Sequence, residues 1–359
     1  MRRRRTLVVG GLFLGAFLAA ALVSASRGLP DLDLAGGVFG QEVPAQHAVA
    51  THPGAAVPAK QLSTGAGIGR GPMRPPTPVL PDGITPVTSS VTVGGMVRTF
   101  DVFSPPAGTT GRLPALVVLH GRKSSVTLEE SRDGLIQLAK QGKALVVYPS
   151  GYGQSWNAGA CCGPAQLAGV DDVSFVTDLI RSVGSRPDVS AVYLVGYSNG
   201  GRMAYDIVCA HPKLVSSFVV VAAVPVIACA PGAPVSLLEM VGTVDPILAY
   251  DSSSLRRHIN GYPEPTVTDQ VALWRKRDGC TAVVSTQTTG TFRLQTWSHC
   301  NAGSVVALGT YQGGGHAWPA GGGGVPSGGD VLWRFLTAPR DTTPVPQSPT
   351  PPSRLPTKT

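Results

Sequence analysis

The segment AVYLVGYSNGGRMAYDIVCA, residues 191–210, contains the motif that decides the fold. It begins with an apolar run typical of a buried strand, and the residues from Asn199 to Ala210 predict a helix. Between them, Gly196-Tyr-Ser-Asn-Gly200 matches G-x-S-x-G, the pattern of a turn that holds a strained serine above a sheet. A glycine-rich turn that carries a serine by accident is the alternative, but the flanking strand and helix favour the functional turn. We therefore predict that Ser198 is a nucleophile.

Apolar runs and helical patterns alternate on both sides of this segment. The predicted strands are Ala115–Leu119, Ala144–Tyr148, Ala191–Val195, Phe218–Val224 and Val235–Val241, after an N-terminal hairpin of Ser90–Val93 and Met96–Phe103. The predicted helices are Thr127–Lys140, a segment from Val170 to Val183, and Asn199–Ala210. Because the central strands are apolar at every position, both of their faces should be buried. The alternation predicts an α/β fold, with a mostly parallel central sheet and helices on both faces.

A nucleophilic serine needs a histidine base, and the base needs an orienting carboxylate. After a turn of this type the chain order is serine, acid, histidine. Asp245 closely follows the strand Val235–Val241 and is the predicted acid, with a turn residue before Pro246 as the alternative. His316 follows a strand predicted at Val305–Gln312, and the three glycines before it let the backbone bend over the sheet edge. We expect His316 to be the base, and a loop histidine without a catalytic role is the alternative.

Two backbone N–H groups are needed to stabilise the oxyanion that forms when a serine attacks a carbonyl. One should come from Asn199, the residue after the nucleophile, and the other from Arg122, in the loop after the strand Ala115–Leu119. His120 then has a structural role and orients this loop. An ordinary strand-ending turn at His120-Gly121 is the alternative.

The six cysteines are even in number, as expected of disulfides in an oxidising compartment. Proximity in the sequence favours the pairs Cys280–Cys300 and Cys209–Cys229. Cys161 and Cys162 are adjacent, so they either form a vicinal bridge or pair elsewhere. No cysteines and histidines have the spacing of a zinc site, and we predict neither a metal nor a cofactor.

Both ends of the chain differ in composition from its body. The four arginines at 2–5 and the apolar stretch Thr6–Val23 predict a signal peptide over residues 1–25, with an uncleaved membrane anchor as the alternative. Residues 26–86 predict a linker rich in Pro, Ala and Gly, and residues 339–359 a disordered Pro-rich tail. The catalytic domain is expected over residues 87–338. We predict a secreted protein that is released or associates with the cell envelope through its N-terminal segment or tails.

The charge of the chain argues against nucleic-acid binding. The formal net charge is +8, from 29 Lys and Arg against 21 Asp and Glu, and four of the basic residues are the arginines at 2–5. The remaining surplus is diffuse and forms no basic run, so we exclude a nucleic-acid partner.

Seven motifs follow one another in order along the body of the chain. They are LHG 119–121, YPSG 148–151, SWNAGACCG 155–163, GVDDV 169–173, GYSNGG 196–201, GTVD 242–245 and GGGHAWP 313–319. Together they resemble the polyhydroxybutyrate depolymerase-like esterases, which are similar to bacterial feruloyl and acetylxylan esterases. The resemblance implies an α/β-hydrolase fold, extracellular ester hydrolysis, and Ser198, Asp245 and His316 as the triad.

The chain departs from these esterases at two places. Members usually carry a histidine before the acid motif, where this chain has Val241, and small residues in the oxyanion loop, where it has Arg122-Lys123-Ser124. Two cations at the site entrance favour acidic substrates. We also expect Trp156 and Trp318 to line the acyl site, with Trp156 packed beneath the Cys161-Cys162 loop as the alternative.

The sequence therefore predicts a monomeric serine carboxylesterase that acts on a small or polymeric ester. Two alternatives remain at this point. The same triad serves acyltransferases and serine peptidases, and a catalytically silent cell-surface binding protein is the alternative from another class.

Overall fold

The structure, a computed structural model of the chain, describes residues 85–254, 258–259, 261–281 and 284–340. Its strands are β1 (Val87–Val93), β2 (Met96–Phe103), β3 (Leu113–Leu119), β4 (Leu145–Pro149), β5 (Val189–Tyr197), β6 (Ser217–Val221), β7 (Ser236–Gly242), β8 (His258–Ile259), β9 (Tyr262–Pro263), β10 (Ser285–Thr289), β11 (Phe292–Trp297) and β12 (Val306–Tyr311). Its α-helices are α1 (Val126–Arg132), α2 (Ile136–Lys140), α3 (Pro164–Leu167), α4 (Asp172–Gly184), α5 (Asn199–Ala210), α6 (Val267–Arg277) and α7 (Gly328–Thr337).

One large sheet carries the fold, with strand order β1-β2-β4-β3-β5-β6-β7-β12-β11-β10. The central strands from β4 to β12 in this order pair in parallel. Antiparallel strands extend the sheet at both edges, β2 and β1 on one side and β11 and β10 on the other. The predicted α/β fold with a mostly parallel sheet is confirmed.

The central strands are buried on both faces. Every residue of β4, β6 and β7 is buried, and successive side chains of a strand point to opposite faces. Helices and loops must therefore cover both sides of the sheet, as expected for parallel strands. Trp274 of α6 packs edge-on against Phe218 of β6, with 5.0 Å between the ring centroids.

The parallel strands bring four predicted site residues to one edge of the sheet. Arg122, Ser198, Asp245 and His316 lie in or near the segments that follow β3, β5, β7 and β12. In the pairing register Leu119 lies opposite Gly196, and Tyr311 lies opposite Gly242, so these carboxyl ends are level with one another.

The prediction of one continuous helix over Thr127–Lys140 is wrong. The structure breaks it into α1 and α2, because Gly134 has a φ of 72°. The carboxylate of Asp133 accepts a hydrogen bond from the Leu135 N–H at 2.8 Å and closes the turn between the two helices. Strand β6 is also shorter than predicted, since it ends at Val221, before Ala222 with a φ of 53°.

The predicted signal peptide, nearly all of the linker and the Pro-rich tail from residue 341 lie outside the described residues. Among the residues that are described, no helix has both the length and the apolar character required to cross a bilayer.

Candidate active site

Ser198 occupies the strained turn that the sequence predicts. Its backbone has φ 52° and ψ −117°, between the end of β5 and the first residue of α5. The Ser198 N–H donates a hydrogen bond to the Val221 carbonyl at 2.8 Å, which anchors the turn to the neighbouring strand. A non-glycine residue in this region of φ/ψ space is held there by its surroundings and is characteristic of functional sites.

Glycines make the turn sterically feasible. A Cβ atom on Gly200 would overlap the carbonyl oxygens of Leu119 and His120, and one on Gly196 would overlap the carbonyl of Gly200. Helix α5 therefore approaches the end of β3 more closely than a side chain at Gly200 would permit. This close approach brings the loop after β3 next to Ser198.

The His316 ring lies between a hydroxyl and a carboxylate. Its Nε2 is 2.8 Å from Ser198 Oγ, and its Nδ1 is 2.8 Å from Asp245 Oδ2. A carboxylate only accepts hydrogen bonds, so Nδ1 carries the proton and Nε2 is left as the acceptor for the serine hydroxyl. The structure thus brings the three predicted triad residues together.

The Asp245 carboxylate is held by its own turn. Its Oδ1 accepts hydrogen bonds from the backbone N–H groups of Ile247 at 2.7 Å and Leu248 at 3.0 Å. The other oxygen is thereby directed at His316. The side chain is fully buried, which strengthens its interaction with the imidazole.

The loops that carry Asp245 and His316 are bound to each other. The Val244 N–H donates to the Gly314 carbonyl at 3.0 Å, and the Gly313 N–H donates to Thr243 Oγ1 at 3.0 Å. A Cβ atom on Gly242 would overlap the backbone of Gly314, so glycine is required at the end of β7. The loops of the predicted acid and the predicted base therefore support each other.

The residues predicted to donate to the oxyanion lie beside Ser198. Asn199 opens α5, where the first N–H groups of a helix lack partners within the helix. Arg122 lies in the loop after β3, and a Cβ atom on the preceding Gly121 would be 3.4 Å from Ser198 Cβ. The side chain of Asn199 is fixed by Trp156, whose N–H it accepts at 2.7 Å and to whose carbonyl it donates at 3.0 Å.

His120 has the surroundings of a structural histidine. Its Nε2 accepts a hydrogen bond from the Gly151 N–H at 3.0 Å, so its Nδ1 carries the proton and donates to the Gly121 carbonyl at 2.8 Å. Desolvation by burial lowers the pKa of His120 to about 4, and the ring is neutral near pH 7. His120 therefore braces the loop without titrating there.

Glu129 is a residue at this site that the sequence patterns did not reveal. It is fully buried on α1, within 3.5 Å of the Ser124 hydroxyl and of the Arg132 guanidinium. Desolvation by burial raises the pKa of Glu129 to about 7, and the Arg132 charge and the Gly121 backbone oppose part of this increase. A buried carboxyl thus adjoins the predicted oxyanion loop.

A cavity of about 590 Å³ opens above Ser198. Besides the residues already placed here, side chains from separate parts of the chain line it, namely Lys123, Cys162, Arg202, Ile247, His258 and Ile259. No motif or periodicity in the sequence places Arg202, Ile247 or His258 near Ser198. Only the tertiary fold does so.

Neither predicted tryptophan lines this cavity, and that expectation is corrected. Trp156 is fully buried, donates from Nε1 to the His120 carbonyl at 2.8 Å, and stacks on Phe175. Trp318 is 5% exposed and packs edge-on against Tyr197. Trp156 thus supports the loop after β3, and Trp318 packs beside the end of β5.

Three disulfides link the six cysteines. They are Cys209–Cys229, Cys280–Cys300 and the vicinal pair Cys161–Cys162. The first two are the pairs that proximity in the sequence favours, and Cys162 of the third borders the cavity. Across the described residues, no group of three or more His, Cys, Asp and Glu side chains is arranged to bind a metal ion.

The sheet order, the strained serine after β5 and the loops after β7 and β12 define an α/β-hydrolase fold. The solved structure of an acetyl xylan esterase from Aspergillus awamori has this fold in common with the chain. It aligns with a TM-score of 0.50 and 13% identity over 70% of this chain and 98% of that one.

Curated relatives are esterases. Feruloyl esterase B of Piromyces equi is 29% identical over 228 residues, which are 59% of this chain and 41% of that protein. A probable feruloyl esterase C of Aspergillus oryzae is 26% identical over 206 residues, 56% of this chain and 68% of that protein. The chain thus spans less than half of the Piromyces protein. No family model matches the chain. The resemblance to feruloyl esterases predicted from the motifs is confirmed.

Proposed function

We propose that the protein is a serine carboxylesterase that uses Ser198, His316 and Asp245 as a catalytic triad. The observation that carries this proposal is the continuous chain of contacts from Asp245 through His316 to Ser198, at 2.8 Å for each step. The similarity to feruloyl and acetyl xylan esterases supports a carboxylic ester as the substrate.

The first half of the reaction forms an acyl-enzyme. His316 Nε2 takes the proton of the Ser198 hydroxyl as Oγ attacks the ester carbonyl carbon. The tetrahedral intermediate then collapses, the ester C–O bond breaks, and the imidazolium returns its proton to the departing alcohol. Asp245 stabilises the imidazolium while it carries the extra proton.

The backbone amides of Asn199 and Arg122 stabilise the oxyanion. Negative charge develops on the carbonyl oxygen only during the attack, so donors fixed in advance favour the transition state over the bound ester. Asn199 is held by its two side-chain hydrogen bonds to Trp156, and the Arg122 loop is held by His120.

The second half of the reaction releases the acid. A water molecule gives a proton to His316 Nε2 and adds to the acyl carbon, and the bond to Ser198 Oγ breaks as the serine recovers its proton. The overall change is ester plus water to acid plus alcohol. The chemistry requires no oxidant or reductant.

We place this activity outside the cell. Disulfides persist in oxidising compartments and are rare in the cytosol, and the six cysteines of the chain are all bridged. The basic and apolar N-terminal residues fit a secretion signal, with a membrane anchor as the alternative.

A fluorophosphonate probe tests the proposal, because it reacts covalently with activated serines. We expect the probe to label the intact chain, and the chain to hydrolyse p-nitrophenyl acetate and butyrate. Ser198→Ala should abolish both labelling and turnover. Ser185→Ala is the matched control, since Ser185 is an exposed residue at the end of α4 whose hydroxyl contacts only the Ser182 carbonyl among the described residues. Equal labelling of the Ser198→Ala variant would refute the assignment.

A further inference from the structure

The cavity above Ser198 has an unbalanced charge. Four basic side chains line it, those of Arg122, Lys123, Arg132 and Arg202, and the described lining residues include no aspartate or glutamate. Asp245 does not offset this charge within the cavity, since its side chain is fully buried behind His316.

Two of these cations have acidic partners outside the cavity. Arg202 forms a buried ion pair with Glu264 at 2.5 Å and donates to the Val224 carbonyl. Arg132 lies 3.5 Å from Glu129 and over the ring of Tyr197. Both arginines therefore interact with glutamate side chains in the walls of the site.

Arg122 and Lys123 are different. Both are exposed, and neither forms an ion pair with any residue that the structure describes. A Cβ atom on Gly163 would lie 3.4 Å from Arg122 Cδ, so the apolar stem of the arginine rests against this glycine at the cavity wall. Two exposed positive charges without an ion-pair partner among the described residues therefore line the cavity that opens above Ser198.

The backbone conformation of Lys123 indicates that the loop holds this lysine at the cavity. Lys123 has a φ of 58°, in the left-handed region that glycine adopts without strain. Two hydrogen bonds hold the loop in this conformation, from the Lys123 N–H to the Gln154 carbonyl at 2.9 Å and from the Ser124 N–H to the Gly121 carbonyl at 3.3 Å. A lysine stands where glycine would be the less strained choice, which points to a role for its charge.

We propose that Arg122 and Lys123 form an anion-binding subsite, and that the preferred substrates are esters carrying a free carboxylate. This inference rests on the proposed function, because it names the substrate class of the same site. The guanidinium presents parallel N–H donors that match a carboxylate, and the ammonium adds a second charge. The carboxylate remains bound while the ester bond at the other end of the acyl chain is hydrolysed at Ser198.

The test compares two esters of equal chain length. Mono-p-nitrophenyl adipate carries a free carboxylate, and its methyl ester is the neutral counterpart with the same leaving group. We expect kcat/KM for the acid to exceed that for the methyl ester by about tenfold at low ionic strength, the size of effect of one charge-assisted hydrogen bond. The ratio should fall between about 0.1 and 1 M NaCl, as the screening length shortens from about 10 to about 3 Å.

Lys123→Gln should reduce this ratio severalfold, and the double variant Arg122→Gln/Lys123→Gln should bring it close to one. Lys143→Gln is the matched control, because Lys143 is an exposed lysine at the opposite end of the parallel strands, before β4. This control should retain the ratio of the unaltered chain.

The outcomes separate this inference from the proposed function. A ratio at or below one in the unaltered chain, with the methyl ester hydrolysed through Ser198, overturns the subsite and leaves the esterase proposal standing. If the double variant leaves the ratio unchanged, the subsite is likewise overturned and the esterase proposal stands. If neither ester is hydrolysed and the fluorophosphonate probe does not label Ser198, the esterase proposal fails and the subsite fails with it.

Discussion

The guanidinium of Arg98 on β2 donates a hydrogen bond to the carboxylate of Asp172 at 2.6 Å, and both side chains are buried. The same carboxylate accepts the Asn157 N–H at 2.8 Å, so the pair joins strand β2, helix α4 and the segment next to Trp156. This connection supports the site from a distance. Trp156 in turn fixes the side chain of Asn199.

Removal of one partner of this buried pair should destabilise the fold strongly. Arg98→Ala leaves the Asp172 carboxylate in the interior without its cation, and the loss should be about 3–5 kcal/mol in the free energy of unfolding. Urea denaturation followed by tryptophan fluorescence measures this loss. Arg181→Ala is the control, because Arg181 forms an exposed pair with Asp178 and should change stability by about 0.5 kcal/mol or less. Equal losses in the two variants would contradict this account.

Asp245→Asn should separate the electrostatic role of the acid from its structural role. An asparagine oxygen can still accept the N–H groups of Ile247 and Leu248, so its NH₂ group faces His316. The NH₂ group is a donor and favours the tautomer with the proton on Nε2, which cannot accept the serine proton. We expect kcat to fall by about 10⁴-fold, as for this substitution in other serine triads, with the melting temperature little changed.

The kinetics of Asp245→Asn give a direct check. Hydrolysis of p-nitrophenyl butyrate under saturating substrate reports kcat, and circular dichroism reports the fold. A variant that keeps more than about a tenth of the original kcat would show that the carboxylate is not required for the reaction.

The sequence predicts the arrangement around the nucleophile well, for a physical reason. Ser198, Asp245 and His316 each lie in a loop after a parallel strand, and the chain order of such loops is restricted by the fold. Apolar runs identify buried strands such as β6 and β7, so the loops that follow them can be located from sequence.

Other parts of the molecule have no such signal. Strand β10 is the sequence STQTT and is exposed at every residue, so it has no apolar pattern and forms only by pairing with β11. Trp156 and Trp318 are indistinguishable in sequence from aromatic residues of a substrate cavity, since a ring packs equally well in either place. Glu129 looks like an ordinary charged residue of an amphipathic helix, and only the tertiary fold buries it.

Glu129 should make stability depend on pH. Burial raises its pKa from the ordinary 4.5 to about 7, so the folded state binds the proton more tightly than the unfolded state. Its contribution is fully present below pH 4.5 and is lost as the pH rises to about 7. Glu129→Gln removes this titration, because glutamine stays neutral. As the pH rises from 4.5 to about 7, the free energy of unfolding of the variant should increase by roughly 2–3 kcal/mol relative to that of the unaltered chain.

Thermal unfolding at a series of pH values measures this gain for Glu129. Other buried carboxyls, including Asp206 with a pKa raised by burial to about 7, titrate alike in both proteins and cancel in the difference. Two stability curves that stay parallel between pH 4.5 and 7 would exclude Glu129 as a group with a raised pKa.

Gly200→Ala should disrupt the nucleophile turn. The added methyl group would overlap the carbonyl oxygens of Leu119 and His120, both backbone atoms of a buried segment, so helix α5 or the loop after β3 must move. Overpacking of this kind costs about 1–3 kcal/mol, and displacement of the loop would also move the predicted oxyanion donor at Arg122. We expect a lower melting temperature and a fall in kcat of about 10²-fold or more.

Gly315→Ala is the matched control for this substitution. It places the same methyl group on a glycine next to His316, where no atom lies within 4 Å of the new Cβ and the backbone φ is one that alanine adopts. Its melting temperature should stay within about 2 °C of the original, because nothing in the fold has to move. If Gly200→Ala is as stable as Gly315→Ala, the fold does not need the close approach of helix α5 to β3.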